Sequence, residues 1–138
     1  MTADPKLHHV VFAVAPDRRA AAVQMFTDLG FAFNTAELAE LGIHVHLDWD
    51  RGIELISPIP GSDGSVAASV TEFLDRHGDG VYTVVIRVPD AAASETVAER
   101  FGSATRFRQS FSGGDSYLDE IDLSVLGLPL TLLSTNVS

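Results

Sequence analysis

Three histidines, several carboxylates and an arginine fall at strand positions from which they could meet. Such a set moves protons or holds a cation. His9 lies inside the apolar run Leu7–Val14, Glu54 inside Ile53–Ile56, and His44 and His46 inside Gly42–Asp48. Imidazole and carboxylate together can ligate a divalent metal or carry acid–base chemistry near neutral pH. The chain has no cysteine, so thiolate nucleophiles, thiolate metal sites and disulfides are excluded.

The elements that must position these residues occur twice. Leu7–Val14 is a short β-branched run that ends at Pro16-Asp17; Val81–Val88 is a second one that ends at Pro89-Asp90. After the first, Val23, Phe26 and Leu29 recur at helical spacing over 17–29, and Gly30 ends the pattern. Phe31–Phe33 reads as a second strand, and Asn34–Leu41 suits a turn of helix without requiring it. Gly42–Asp48 and Ile53–Ile56 form a hairpin around Asp50-Arg51-Gly52. Residues 57–65 form a loop, and Val66, Val70, Phe73 and Leu74 mark a helix that closes at Gly78. The second copy continues with a helix presenting Ala93, Val97 and Phe101, stopped by Gly102. A short strand over 104–107, a turn at Ser112–Gly114 and a hairpin of 117–125 with 128–133 about Gly127 complete it. The expected fold is α+β. Two pseudo-repeated β-α-β-β-β units form a curved, cavity-enclosing mixed sheet with helices on its outer face. One domain then comprises unit one (about 7–56), a connecting loop and helix (57–80) and unit two (about 81–134).

Strand alternation assigns faces. Val10, Phe12 and Val14 belong under the helix, which leaves His9, Val11 and Ala13 toward the cavity. Glu54 joins them, and by the same rule so do His44, His46 and Asp48. In unit two Thr83, Val85 and Arg87 face inward, Thr131 takes the place of Glu54, and Glu120 and Asp122 point the same way. Plain structural roles suit the same residues: a wet antiparallel face for His44, His46 and Asp48, strand-forming threonines, and an ion pair between Arg87 and Glu120.

The formal net charge of −10 argues against broad binding to nucleic acid or an anionic membrane. The longest apolar run is too short to span a bilayer. A cytoplasmic protein with a small-molecule ligand, forming a homodimer, is expected.

The pattern resembles the vicinal oxygen chelate superfamily, which includes glyoxalases, extradiol dioxygenases and bleomycin-resistance proteins. Within it the chain is closest to the methylmalonyl-CoA epimerases. The resembling stretches are Leu7–Val14, Glu40–Ile43, Ile53–Pro58 and Thr71–Leu74 through Gly78–Val81. The resemblance implies one divalent metal (zinc, manganese, cobalt or iron) held by His9 and Glu54, with Glu40 as the proton-transferring acid. It also implies ligands at Thr83 and Thr131, where the epimerases have histidine and glutamate. With hydroxyls there, either His44 or His46 completes the metal site or no metal is used. His44, His46, Thr83, Arg87, Glu120 and Thr131 then contact the substrate.

Two functions follow. One is an isomerase, epimerase or lyase acting beside a carbonyl, with an acyl-CoA as a possible substrate whose phosphates Lys6, Arg18, Arg19, Arg106 and Arg108 would meet. The other is a metal-free binding or sequestration protein of the bleomycin-resistance type. The enzyme is the preferred expectation.

Overall fold

The computed structural model describes residues 4–138. The fold is α+β, as expected, with two copies of a β-α-β-β-β unit. The described residues divide into two compact units: His9–Tyr82, and Thr83–Ser138 together with residues 4–8.

In the first unit, β1 (Lys6–Ala13), α1 (Arg19–Asp28), β2 (Asn34–Leu38), β3 (Ile43–Asp48), β4 (Ile53–Pro58) and α2 (Ser65–His77) follow in order. The strands lie side by side as β2-β3-β4-β1. β1 runs parallel to β4, and β2, β3 and β4 are antiparallel neighbours. Phe31–Phe33 is not the second strand. Its rings instead meet Phe26 of α1, at 5.6 Å for Phe31 and 6.1 Å for Phe33, while Phe12 of β1 meets the same ring at 5.9 Å. Pairing begins only at Asn34, where the segment left open between helix and coil becomes β2. α1 has no fully buried residue, so this aromatic cluster is a principal attachment to its sheet.

The turn before β3 depends on Gly42, whose φ is +79°. A Cβ there would run into Ser62 and lie 2.7 Å from the Ala67 Cβ of α2. Gly42→Ala is expected to cost about 1–3 kcal/mol from backbone strain alone, with more from the collision. Urea unfolding checks this, and an unchanged midpoint would contradict it. α2 buries Ala67 and Val70, and its Phe73 packs edge-on to Tyr82 at 5.4 Å. Asp79, just beyond α2, takes two hydrogen bonds from Arg18 (2.6 and 2.7 Å) and one from the Ala15 amide (3.1 Å).

The second unit comprises β5 (Gly80–Arg87), α3 (Ala91–Glu99), β6 (Ala104–Gly113), β7 (Ser116–Val125) and β8 (Leu128–Thr135). Its strand order is β5-β8-β7-β6, with β5 parallel to β8. Ile121, Leu123 and Leu132 of the sheet pack with Val88 and with Ala91 and Ala98 of α3. The helix therefore buries Ala91, Glu95 and Ala98. The expected stripe does not hold: Val97 is 47% and Phe101 58% exposed. Small alanines allow close packing, and the carboxylate among them is held by Arg108 (2.7 Å) and Thr105 (2.5 Å) of β6. That pairing keeps Glu95 well below the usual carboxylate range, Arg108 first and Thr105 second. β6 is far longer than the strand expected over 104–107, and its turn lies at Gly114-Asp115. Leu126-Gly127 closes the last hairpin in two residues with φ of 54° and 79°, the tight turn that suits strand twist.

Candidate functional site

His9 and Glu54 come together. Val11 of β1 pairs with Glu54 of β4, and alternation puts His9 on the same face as Val11. His9 is buried at 2% exposure, and its Nε2 lies 3.1 Å from Glu54 Oε1. Glu54 keeps 18% of its side chain exposed. Its other oxygen, Oε2, takes no hydrogen bond from a described residue. A buried imidazole thus meets one oxygen of a carboxylate that is itself partly exposed. The Trp49 ring, which sequence reasoning did not single out, lies 6.3 Å from the His9 ring.

His44, His46 and Asp48 do not join this pair. The residue of β3 opposite Glu54 is Leu47, whereas His46 is opposite Leu55, Asp48 opposite Ile53 and His44 opposite Ser57. The three polar residues therefore occupy the face of Phe12 and α1, opposite the face of His9 and Glu54. The expectation that they line one surface with His9 is corrected on this register.

His46 is part of a polar cluster under α1. Arg19 Nη1 can only donate, at 3.3 Å, so Nε2 accepts and Nδ1–H is left to donate to Thr35 Oγ1 at 2.9 Å. Burial, then the charge of Arg19, then His44 lower its affinity for a proton. Asp48 accepts from the amides of Ala32 (3.0 Å) and Arg51 (3.1 Å), and the first of these does most to hold it below its ordinary value.

A pH prediction follows from His46. Its folded-state pKa is depressed below the unfolded value, so its share of stability is full above about pH 6.5 and is lost as pH falls below that. The depressed carboxylates Asp48, Asp79 and Glu95 act in a lower window, with stability lost only below about pH 4. The melting temperature of the native chain is expected to decline through the upper window, and that of His46→Gln to decline less. Parallel thermal-melt profiles would contradict this.

In the second unit Val85 pairs with Thr131, as Val11 pairs with Glu54 in the first. Thr83 and Thr131 therefore stand where His9 and Glu54 stand, and their hydroxyls lie 3.0 Å apart, both buried. Glu120 pairs with Leu133 and Asp122 with Thr131, so both carboxylates and Arg87 share the threonines' face. Arg87 donates to the Thr135 carbonyl at 2.7 Å, and Glu120 accepts from Gln109 at 2.8 Å. Asp122 accepts from Arg106 at 2.7 Å and from Thr131 at 3.4 Å. Burial nonetheless pushes its pKa up, against the smaller opposing effects of Arg106 and Thr131. Its inward direction was readable from alternation, but its junction with the two threonines depends on register.

Glu40 lies exposed in the turn between β2 and β3. Four of the five cations expected to meet phosphates are engaged within the chain: Arg18 with Asp79, Arg19 with His46, Arg106 with Asp122 and Arg108 with Glu95.

The metal expected from the resemblance was tested against the donor set. His9 and Glu54 are two donors, turned toward each other, and the histidines that would add a third lie on the other face. Among the described residues no group of three His, Cys, Asp or Glu side chains could hold a metal ion. A divalent site generally uses three or more protein ligands, so the residues present do not fit one. Among the described residues no helix is long and apolar enough to cross a membrane.

No family model matches the chain, and no curated protein matches it. Solved structures do. Methylmalonyl-CoA epimerase from Mycobacterium tuberculosis is 24% identical, with a TM-score of 0.64 over 93% of this chain and 86% of that one. A hypothetical protein from Bacillus halodurans is 15% identical, with a TM-score of 0.69 over 99% of this chain and 98% of that one. A variant of Streptomyces coelicolor methylmalonyl-CoA epimerase in complex with 2-nitronate-propionyl-CoA is 18% identical, with a TM-score of 0.65 over 96% of this chain and 98% of that one. The chain shares the fold of these proteins.

Proposed function

We propose that the protein is a small-molecule enzyme that moves a proton on the carbon beside a carbonyl, as an isomerase, epimerase or lyase. The observation that carries this is the contact at 3.1 Å between buried His9 and partly exposed Glu54. Glu54 Oε2 is the base, placed against the substrate carbon. His9 is a positioning residue that donates from Nε2 to Oε1 and so fixes the plane of the carboxylate. Removal of the proton leaves an electron pair shared with the carbonyl oxygen, and its return from Glu54 or water completes the turn. No step is routed through a metal, because the donor set does not fit one.

Structural neighbours named as epimerases of methylmalonyl-CoA support an acyl-CoA thioester as substrate. The test is hydrogen exchange beside the carbonyl of methylmalonyl-CoA in heavy water, with chelator-treated protein. Exchange that survives chelation supports the proposal; its absence rejects the acyl-CoA reading. The resemblance makes Glu40 the rival base. Exchange retained in Glu40→Gln supports Glu54, and exchange lost there transfers the step to Glu40.

A second reading is a ligand-binding protein without turnover. The second unit favours it, since Thr83 and Thr131 bond to each other and supply no base.

A further inference from the structure

The polar face of the second unit holds a directed chain of hydrogen bonds that the proton-transfer proposal does not use. Thr131 donates its single hydroxyl hydrogen to Asp122 Oδ1 at 3.4 Å, so Thr83 is the donor in the 3.0 Å bond between the threonines. Arg106 Nη2 donates to the same Oδ1 at 2.7 Å. All the donors therefore converge on one oxygen, and Oδ2 takes no hydrogen bond from a described residue. The Asp122 side chain is 16% exposed, enough for a small ligand to reach, and that of Arg106 is 33% exposed. In the first unit the matching position, opposite Glu54, is held by Leu47. The acid is thus particular to the second unit.

We propose that Asp122 and Arg106 form an oxyanion-binding station, in which Asp122 Oδ2 takes up one proton and donates it in a hydrogen bond to a carboxylate or nitronate oxygen of the ligand. A carboxylate gains a proton from solvent as the anion binds, and the new O–H···O⁻ bond is of the short, strong kind. Burial already favours the neutral acid, and an anion beside it favours that form further. A carboxylic acid held in its neutral form can donate to an oxyanion. Arg106 supplies the charge that attracts the anion. The other charged groups on this face are occupied, Glu120 by Gln109 and Arg87 by the Thr135 carbonyl. As a merely structural residue Asp122 is a poor choice. Its folded-state pKa lies above the unfolded one, so its contribution is present at low pH and lost as pH rises through the folded value. Asp122→Asn is therefore expected to be at least as stable as the native chain at pH 7.

This deepens the reading of the chain as a carbonyl enzyme, and the test separates the two. Propionate is titrated into the full chain while the Asp122 carboxyl is followed by carbon-13 NMR and proton uptake by calorimetry in several buffers. The expected result is a saturable move of the Asp122 resonance toward its protonated position, with uptake approaching about one proton per ligand. Both signals vanish in Asp122→Asn, and affinity falls roughly tenfold in Arg106→Gln. A resonance that stays still, or equal uptake by Asp122→Asn, overturns the proposal. Titration with 2-nitronate-propionyl-CoA gives the second arm. If propionate moves the resonance and the thioester does not bind, the station stands and the acyl-CoA reading falls. If the thioester binds without moving it, the station falls and that reading stands.

Discussion

Glu54→Gln is expected to lower the rate of hydrogen exchange beside the carbonyl of a 2-methyl acyl-CoA by about a hundred- to ten-thousand-fold, the usual range for loss of a general base. The substitution preserves shape. His9 Nε2 retains an oxygen acceptor at 3.1 Å, and a side chain with 18% of its surface exposed loses little packing. The melting temperature should therefore hold, which separates loss of chemistry from loss of fold. His9→Ala acts by a different route. Glu54 remains but is no longer held in one plane, so kcat should fall about ten- to a hundredfold with KM little changed. A general packing defect at a residue only 2% exposed would instead appear in the melting temperature and in KM together. Native exchange rates in Glu54→Gln would place the proton step elsewhere, with Glu40→Gln the next variant to measure.

The second large effect is on stability. Leu123 is fully buried at the centre of β7, between Thr105 of β6 and Leu130 of β8. It packs with Ile121, Leu132, Val88 and the alanines of α3. Leu123→Ala removes three carbons from a site that rigid neighbours on both sides keep from collapsing, so the expected cost is about 2–5 kcal/mol. For a chain of this size that corresponds to a fall in melting temperature on the order of 10 °C or more. Urea unfolding should show a lower midpoint with an unchanged slope. A loss under about 1 kcal/mol would contradict the placement of Leu123 in the core.

Much of the architecture was legible because the repeat is written in the sequence. The two apolar runs ending in Pro-Asp mark β1 and β5, whereas the parallel pairings of Val11 with Glu54 and of Val85 with Thr131 emerge only from the folded strands. Strand alternation puts His9 and Glu54 on one face, and Thr83 and Thr131 on the matching one, without giving the contacts they make there. The face of β3 was not legible. Alternation sorts Ile43, Val45 and Leu47 from His44, His46 and Asp48, but it cannot say which set turns toward Glu54. Polarity suggested the histidines, whereas pairing sets Leu47 there and sends His46 beneath Arg19 and Phe33. Three other features were hidden by composition. Phe31–Phe33 has the residues of a strand but serves to enclose Phe26. Glu95 breaks the apolar stripe of α3 because its partners, Thr105 and Arg108, lie on another element. β6 continues unrecognised beyond the short strand expected over 104–107 because an edge strand need bury neither face fully.

The most direct test of the His9–Glu54 site is proton NMR of a 2-methyl acyl-CoA in heavy water, with chelator-treated native protein beside Glu54→Gln. The expected result is loss of the proton signal beside the carbonyl with the native chain and its persistence with the variant. No exchange above the protein-free rate, or equal exchange by both proteins, would contradict the assignment of proton transfer to this pair.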